Sequence, residues 1–183
     1  VTGKADLYGG YIVYKTAKCS DGKSNATGWM NYTIGYITYV SMKQKQEALP
    51  YLYKASQVGC ETKEVSEVYR LIGGWYLEEF LRLDATRMEK IKVAGGKDTE
   101  ETLALLALER GYSERAMDAY ARAYKTASDS KTASQSYKDA LLTKLKEVYG
   151  VRSDYDMSKF DPYLKQAGTT ALVDPATPVT PIV

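Results

Sequence analysis

One stretch constrains this chain more than any other: Tyr69-Arg70-Leu71-Ile72-Gly73-Gly74-Trp75-Tyr76, inside an apolar run from about Glu64 to Asp84. Val65, Tyr69, Ile72, Tyr76, Phe80 and Leu83 recur at three- and four-residue steps, which places them on one face of a helix. Gly73 interrupts this bulky stripe with a residue that has no side chain. A second helix can then approach closely, so the stretch predicts one half of a tightly packed helical pair.

A second aliphatic-glycine pair, Ile34-Gly35, lies 38 residues earlier. Asn31 and Thr38 hold its flanking aromatic positions, with Tyr32 and Tyr39 each one place later. It is followed by a small-large-small trio, Ala48, Leu52 and Ala55, with Pro50 near the start of that helix, where proline is tolerated, and Gly59 as its stop. The central stretch has a matching trio in Ala116, Tyr120 and Ala123, displaced to 43 residues after Gly73. The pattern Tyr69-x2-Ile72-Gly73-x2-Tyr76 resembles the first helix of a tetratricopeptide repeat, and the trios resemble its second helix; the family period is about 34 residues. The resemblance covers residues 26 to 150, as roughly two repeats and a closing helix. It implies an all-α fold, an antiparallel helical-hairpin solenoid that binds protein or peptide segments. Its packing residues would be Ile34, Gly35, Ala48, Leu52, Ala55, Tyr69, Ile72, Gly73, Tyr76, Ala116, Tyr120 and Ala123.

The expected organisation has four parts. Residues 1–24 form an N-terminal arm, since Tyr8 to Thr16 is aromatic and β-branched and favours extended backbone; half of a helical hairpin is the other reading. Residues 25–150 form the helical domain, with an insertion at about 84–115. Gly95-Gly96 stops one helix there, and Asp98 caps the next with Glu101 reaching back. That next helix runs from Thr99 to about Ala127, with Gly111 weakening it by about 1 kcal/mol. A helix over Lys131–Tyr149 ends at Gly150. Residues 151–168 add a short helical extension at Met157–Gln166. Residues 169–183 carry prolines at 175, 178 and 181, cannot be helical, and form an extended tail.

Composition excludes several function classes. The chain has no histidine, which removes His-based acid–base, nucleophile and most zinc chemistry. Its 25 basic and 23 acidic residues give no electrostatic footprint for nucleic acid or anionic membrane. No run approaches the roughly 20 apolar residues of a membrane span. The carboxylates Glu78, Glu79, Asp84, Glu100 and Glu101 read as solvated helix surface rather than catalytic or calcium-binding groups. The glycine pairs lack phosphate-loop spacing, and the basic run Arg82, Arg87, Lys90 and Lys92 is interleaved with acids. No enzyme, cofactor or metal is expected.

What remains is 17 tyrosines against 2 Phe and 2 Trp, two cysteines, and two apolar ends. Tyrosine suits wet interfaces, and Tyr32, Tyr36, Tyr39, Tyr69 and Tyr76 are the candidate groove. Cys19 and Cys60 form a disulfide if the chain is exported, and are two thiols if it is cytosolic. Val1 leans towards a mature chain after signal removal, an incomplete start being the other explanation. Asn25-Ala26-Thr27 and Asn31-Tyr32-Thr33 are glycosylation sequons by pattern alone. An apolar arm, either residues 171–183 anchored by Leu172, Val173, Val179 and Ile182 or residues 8–16 anchored by Tyr11 and Val13, could lie in a groove of the next copy and propagate. A tail outside the fold is the competing reading. The expected function is therefore a secreted, non-enzymatic structural protein whose partner is itself, assembling head to tail into an extracellular filament. A monomeric adaptor for another protein's peptide is the alternative.

Overall fold

The computed structural model describes residues 14–183. They fold as an all-α chain with no strand among the described residues: α1 (Gly22–Tyr36), α2 (Lys45–Val58), α3 (Ser66–Val93), α4 (Glu100–Asp129), α5 (Gln135–Arg152) and α6 (Phe160–Gln166). Of the arm expected over residues 8–16, residues 8–13, with Tyr11 and Val13, lie outside the described residues.

Local signals set most helix ends. The Asp21 side chain accepts from the Ser24 amide at the start of α1. Gly95 and Gly96, at φ +69° and +83°, hold the left-handed conformation that ends α3. Thr99, rather than Asp98, caps α4: its hydroxyl accepts from the Thr102 amide, and the Thr102 hydroxyl accepts from the Thr99 amide. Asp98 instead accepts from the Thr102 hydroxyl at 3.0 Å. Gly150 falls inside α5, which continues to Arg152. α3 passes the apolar run's end at Asp84 and continues to Val93, and this outer part packs on α4, paired through Arg87–Glu109 and Lys90–Glu101. Residues 84–115 are thus the far end of a long α3–α4 hairpin.

Consecutive helices run antiparallel. Gly35 of α1 sits against Leu52 of α2, Lys45 of α2 pairs with Glu78 of α3, and Gly73 of α3 sits against Ala119 and Tyr120 of α4. Further out, Arg87 reaches Glu109 at 2.8 Å and Lys90 reaches Glu101 at 2.8 Å. Arg152 of α5 returns to Glu114 of α4. The core lies along these seams, centred on Leu52, Val68, Ile72, Tyr76, Tyr120 and Leu145. A Cβ on Gly73 would stand 3.1 Å from the Tyr120 ring, which is why the bulky stripe has its gap there.

α1 continues directly into a π-helical turn, Ile37–Ser41. Widening that turn by one residue brings both Thr38 and Tyr39 to the buried side. Cys19 and Cys60 lie at disulfide-bonding distance, with Cα atoms 5.7 Å apart. Beside them Glu61 accepts from the Thr16 hydroxyl, the Asn25 amide and the Trp29 indole, at 2.6, 3.0 and 3.0 Å. Asn25 is 1% exposed and committed to Glu61 and the Tyr14 carbonyl, so in this fold it presents no acceptor to a glycan. Asn31 donates to the Thr27 carbonyl within α1.

Candidate interaction site along the fourth helix

α4 carries two working faces. Ala116, Tyr120, Ala123 and Ala127 are turned into the core. Ala107, Gly111, Arg115, Arg122 and Lys125 recur at three-, four- and seven-residue steps, and so form a second stripe along the helix. That stripe meets the C-terminal arm.

After α6 the chain turns at Gly168, φ +80°, and residues 169–183 follow without helix or strand. They run antiparallel to α4. Lys125 donates to the Ala167 carbonyl at 2.6 Å, and Arg122 to the Thr170 carbonyl at 2.8 Å. Arg115 donates to the Pro178 carbonyl at 3.2 Å and reaches the Asp174 and Thr177 carbonyls at 3.5 Å. The Ile182 amide closes the series on the Ala107 carbonyl at 2.8 Å. Between Lys125 and Ala107, α4 covers about 27 Å.

The chemistry of this seam follows from proline. Pro175, Pro178 and Pro181 have no N–H, so the arm cannot build a ladder with itself or with a strand edge. Its carbonyls still need donors wherever the backbone lies against protein, and guanidinium and ammonium groups supply them. The arm is not straight: Thr177 donates back to the Asp174 carbonyl, and Ala176 to the Asp174 carboxylate. Under it a cleft of about 330 Å³ stays open beside Gly111, Glu114, Arg115 and Asp118.

Two side chains are positioned from behind. Arg115 lies over the Tyr76 ring, 5.8 Å from its centroid, and donates to the Tyr76 hydroxyl at 3.3 Å. Arg122 is held by Asp118 at 2.9 Å. Gly111 is required by proximity: a Cβ there would stand 2.7 Å from the Val179 methyl and closer still to the Thr180 carbonyl. The residue that reads as a helix defect in sequence is the place where the arm's backbone touches α4.

Of the expected arm anchors, Leu172 is 6% exposed and part of the core, Val179 and Ile182 are half-buried, and Val173 is exposed. Val179 lies against Gly111, and the Ile182 amide bonds the Ala107 carbonyl, both on their own chain's α4. The expected tyrosine groove does not form as a surface. Tyr39, Tyr69 and Tyr76 are buried in the core, and burial pushes each phenol's pKa up. Tyr32 is half-buried with its phenol pushed up to about 12 by burial, and only Tyr36 stands exposed. Stripes that step by three and four mark the buried face equally well as a groove, and here the core took them. Among the expected packing residues, Gly35, Ala48, Leu52, Ala55, Tyr69, Ile72, Gly73, Tyr76, Ala116, Tyr120 and Ala123 are buried. Ile34 is the exception at 46% exposed, because the neighbouring Gly35 is the residue facing Leu52.

Four of the five acidic candidates are held in ion pairs, and Glu100 stands in the exposed first turn of α4. Glu78 pairs with Lys45, Glu79 with Arg82, Asp84 with Arg87 and Glu101 with Lys90. Among the described residues no group of three or more acidic or cysteine side chains is placed to hold a metal ion. No described helix is long and apolar enough to cross a membrane. The sequence reading missed Gly111, Arg115, Arg122 and Lys125. Their helical spacing, together with a glycine inside a long helix, was the signal that could have found them. Comparison with protein-family models, with curated proteins and with solved structures gives no match.

Proposed function

We propose that this chain is a secreted, non-enzymatic structural subunit that assembles head to tail with copies of itself into an extracellular filament. Its scaffold is of the tetratricopeptide-like class. Two equivalent seams support that class: Gly35 packs on Leu52, the large member of its trio, and Gly73 on Tyr120, the large member of the other. The observation that carries the functional reading is the C-terminal arm. It is helix-free, joined to the body through a glycine turn, and held along α4 chiefly through main-chain groups. Such contacts are available to an arm from any copy, and a contact between one copy's arm and another's α4 is heterologous and propagates. The cysteine pair fits an oxidising compartment.

Negative-stain electron microscopy with light scattering at rising protein concentration tests this. Fibres one subunit wide, growing with concentration, are the expected result. Monodisperse particles of 20.4 kDa at every concentration would remove the filament. The open cleft beneath the arm favours a second reading, an adaptor whose partner peptide takes the arm's place. That protein stays monomeric until its peptide is added.

A further inference from the structure

We infer that the Ala107–Arg122 stripe of α4 is the receptor for the C-terminal arm of a second copy of this chain, with Gly111 as its contact point and Arg115 as its clamp. The inference rests on the self-assembly reading and deepens it by naming the surface that the arm enters.

Three features argue for exchange. First, the fit is specific: Gly111 admits the Thr180 backbone where any side chain would collide, and Arg115 gathers three carbonyls of the arm from its seat on Tyr76. Second, the arm leaves the body at a left-handed residue, Gly168, and is seated in the core at Leu172, so exchange re-aims the chain at Gly168 and returns each Leu172 to a second copy's core. Third, Arg122 and Arg115 on α4 address carbonyls beyond the Gly168 joint and leave the arm's side chains to fit by shape, so a second copy's arm reproduces those contacts while Lys125 stays on its own chain's Ala167. Exchanging an identical element between copies adds no new interface chemistry, and closure in cis gives way to exchange as protein concentration rises.

The test uses two full-length variants. Gly111→Leu fills the receptor and keeps an intact arm. Val179→Asp with Ile182→Asp spoils the arm and keeps an intact receptor. Each alone is expected at the monomer mass, and an equimolar mixture at about twice the 20.4 kDa of one chain, because one arm and one receptor remain between them. A mixture that stays at the monomer mass, while both variants keep helical circular dichroism, overturns the inference. If Gly111→Leu fails to fold, Arg115→Ala replaces it with the same expectation. The outcomes also separate the two readings. A wild-type chain that polymerises while the pair stays monomeric keeps self-assembly and discards the α4 receptor. A heterodimer from the pair beside a monomeric wild type keeps the receptor and discards the filament.

Discussion

Gly111 shows how one position can carry opposite consequences. Inside a helix, replacing glycine by alanine gains about 1 kcal/mol of helix stability. At this position the new methyl would sit against the Thr180 carbonyl and Val179. Gly111→Ala is therefore expected to leave α4 intact or firmer while lifting the arm from it. Limited proteolysis with mass spectrometry should show faster cleavage within residues 169–183, and an unchanged cleavage rate would mean that the arm tolerates the methyl. Glu61 gives the pH counterpart. The Thr16 hydroxyl foremost, then Asn25 and Trp29, hold its carboxyl below the usual carboxylate range. A lowered folded-state pKa contributes stability above the ordinary value and loses it as pH falls through the folded one. Denaturant midpoints should thus drop on acidification, and Glu61→Gln should flatten that part of the profile. Glu109 titrates the other way: burial pushes its pKa up against the pull of Arg87, so protonating it on acidification favours the fold.

At the scale of elements, the α3–α4 hairpin is held near its far end by that same Arg87–Glu109 pair. Glu109 is 2% exposed, and its partner also engages Asp84. Removing one member of a buried pair leaves the other charge without compensation, at a cost of about 3 kcal/mol. Arg87→Ala should lower stability by about that much in urea unfolding, whereas Glu109→Gln, a neutral side chain that burial favours while Arg87 keeps Asp84, should change it little or raise it. The Thr99 cap is a smaller lever. Thr99→Ala should cost about 1 kcal/mol, with hydrogen exchange rising first in the opening turn of α4. These elements were largely legible beforehand. The stripe from Tyr69 to Leu83 gave α3, the glycine pair gave its stop, and the prolines gave an arm that cannot be helical. The apolar stripe fades after Leu83, and the part of α3 beyond it is held to α4 by Arg87–Glu109 and Lys90–Glu101, pairs between helices that no local pattern announces.

Across the whole molecule, Cys19 and Cys60 stand at disulfide-bonding distance, bringing the segment before α1 to the turn after α2, 41 residues apart; a bond there would close that loop. Closing such a loop contributes roughly 4 kcal/mol in the chain-entropy picture. Cys60→Ser is expected to lose most of that, seen as a lower unfolding midpoint that dithiothreitol no longer shifts. The Glu61 knot beside the pair should loosen with it, so Cys60→Ser and Glu61→Gln should not add. Additive losses would mean that the two act independently.

Taken alone, the sequence determined the all-α class, the existence and order of the helices, the glycine gaps at Gly35 and Gly73, and the helix-free arm. Each of these follows from local rules: periodicity over a few turns, a missing side chain, a missing N–H. The tertiary structure alone decided where the stripes point. Tyr39, Tyr69 and Tyr76 went to the core and not to a groove, because a tyrosine's ring and hydroxyl suit a sealed seam as well as a wet one. It also decided that the arm lies on α4, where Gly111 and Arg115 meet residues 59 to 69 positions further along the chain. Contacts across such distances depend on how the hairpins stack; the spacing of Gly111, Arg115 and Arg122 marks a stripe on α4 but does not say what covers it.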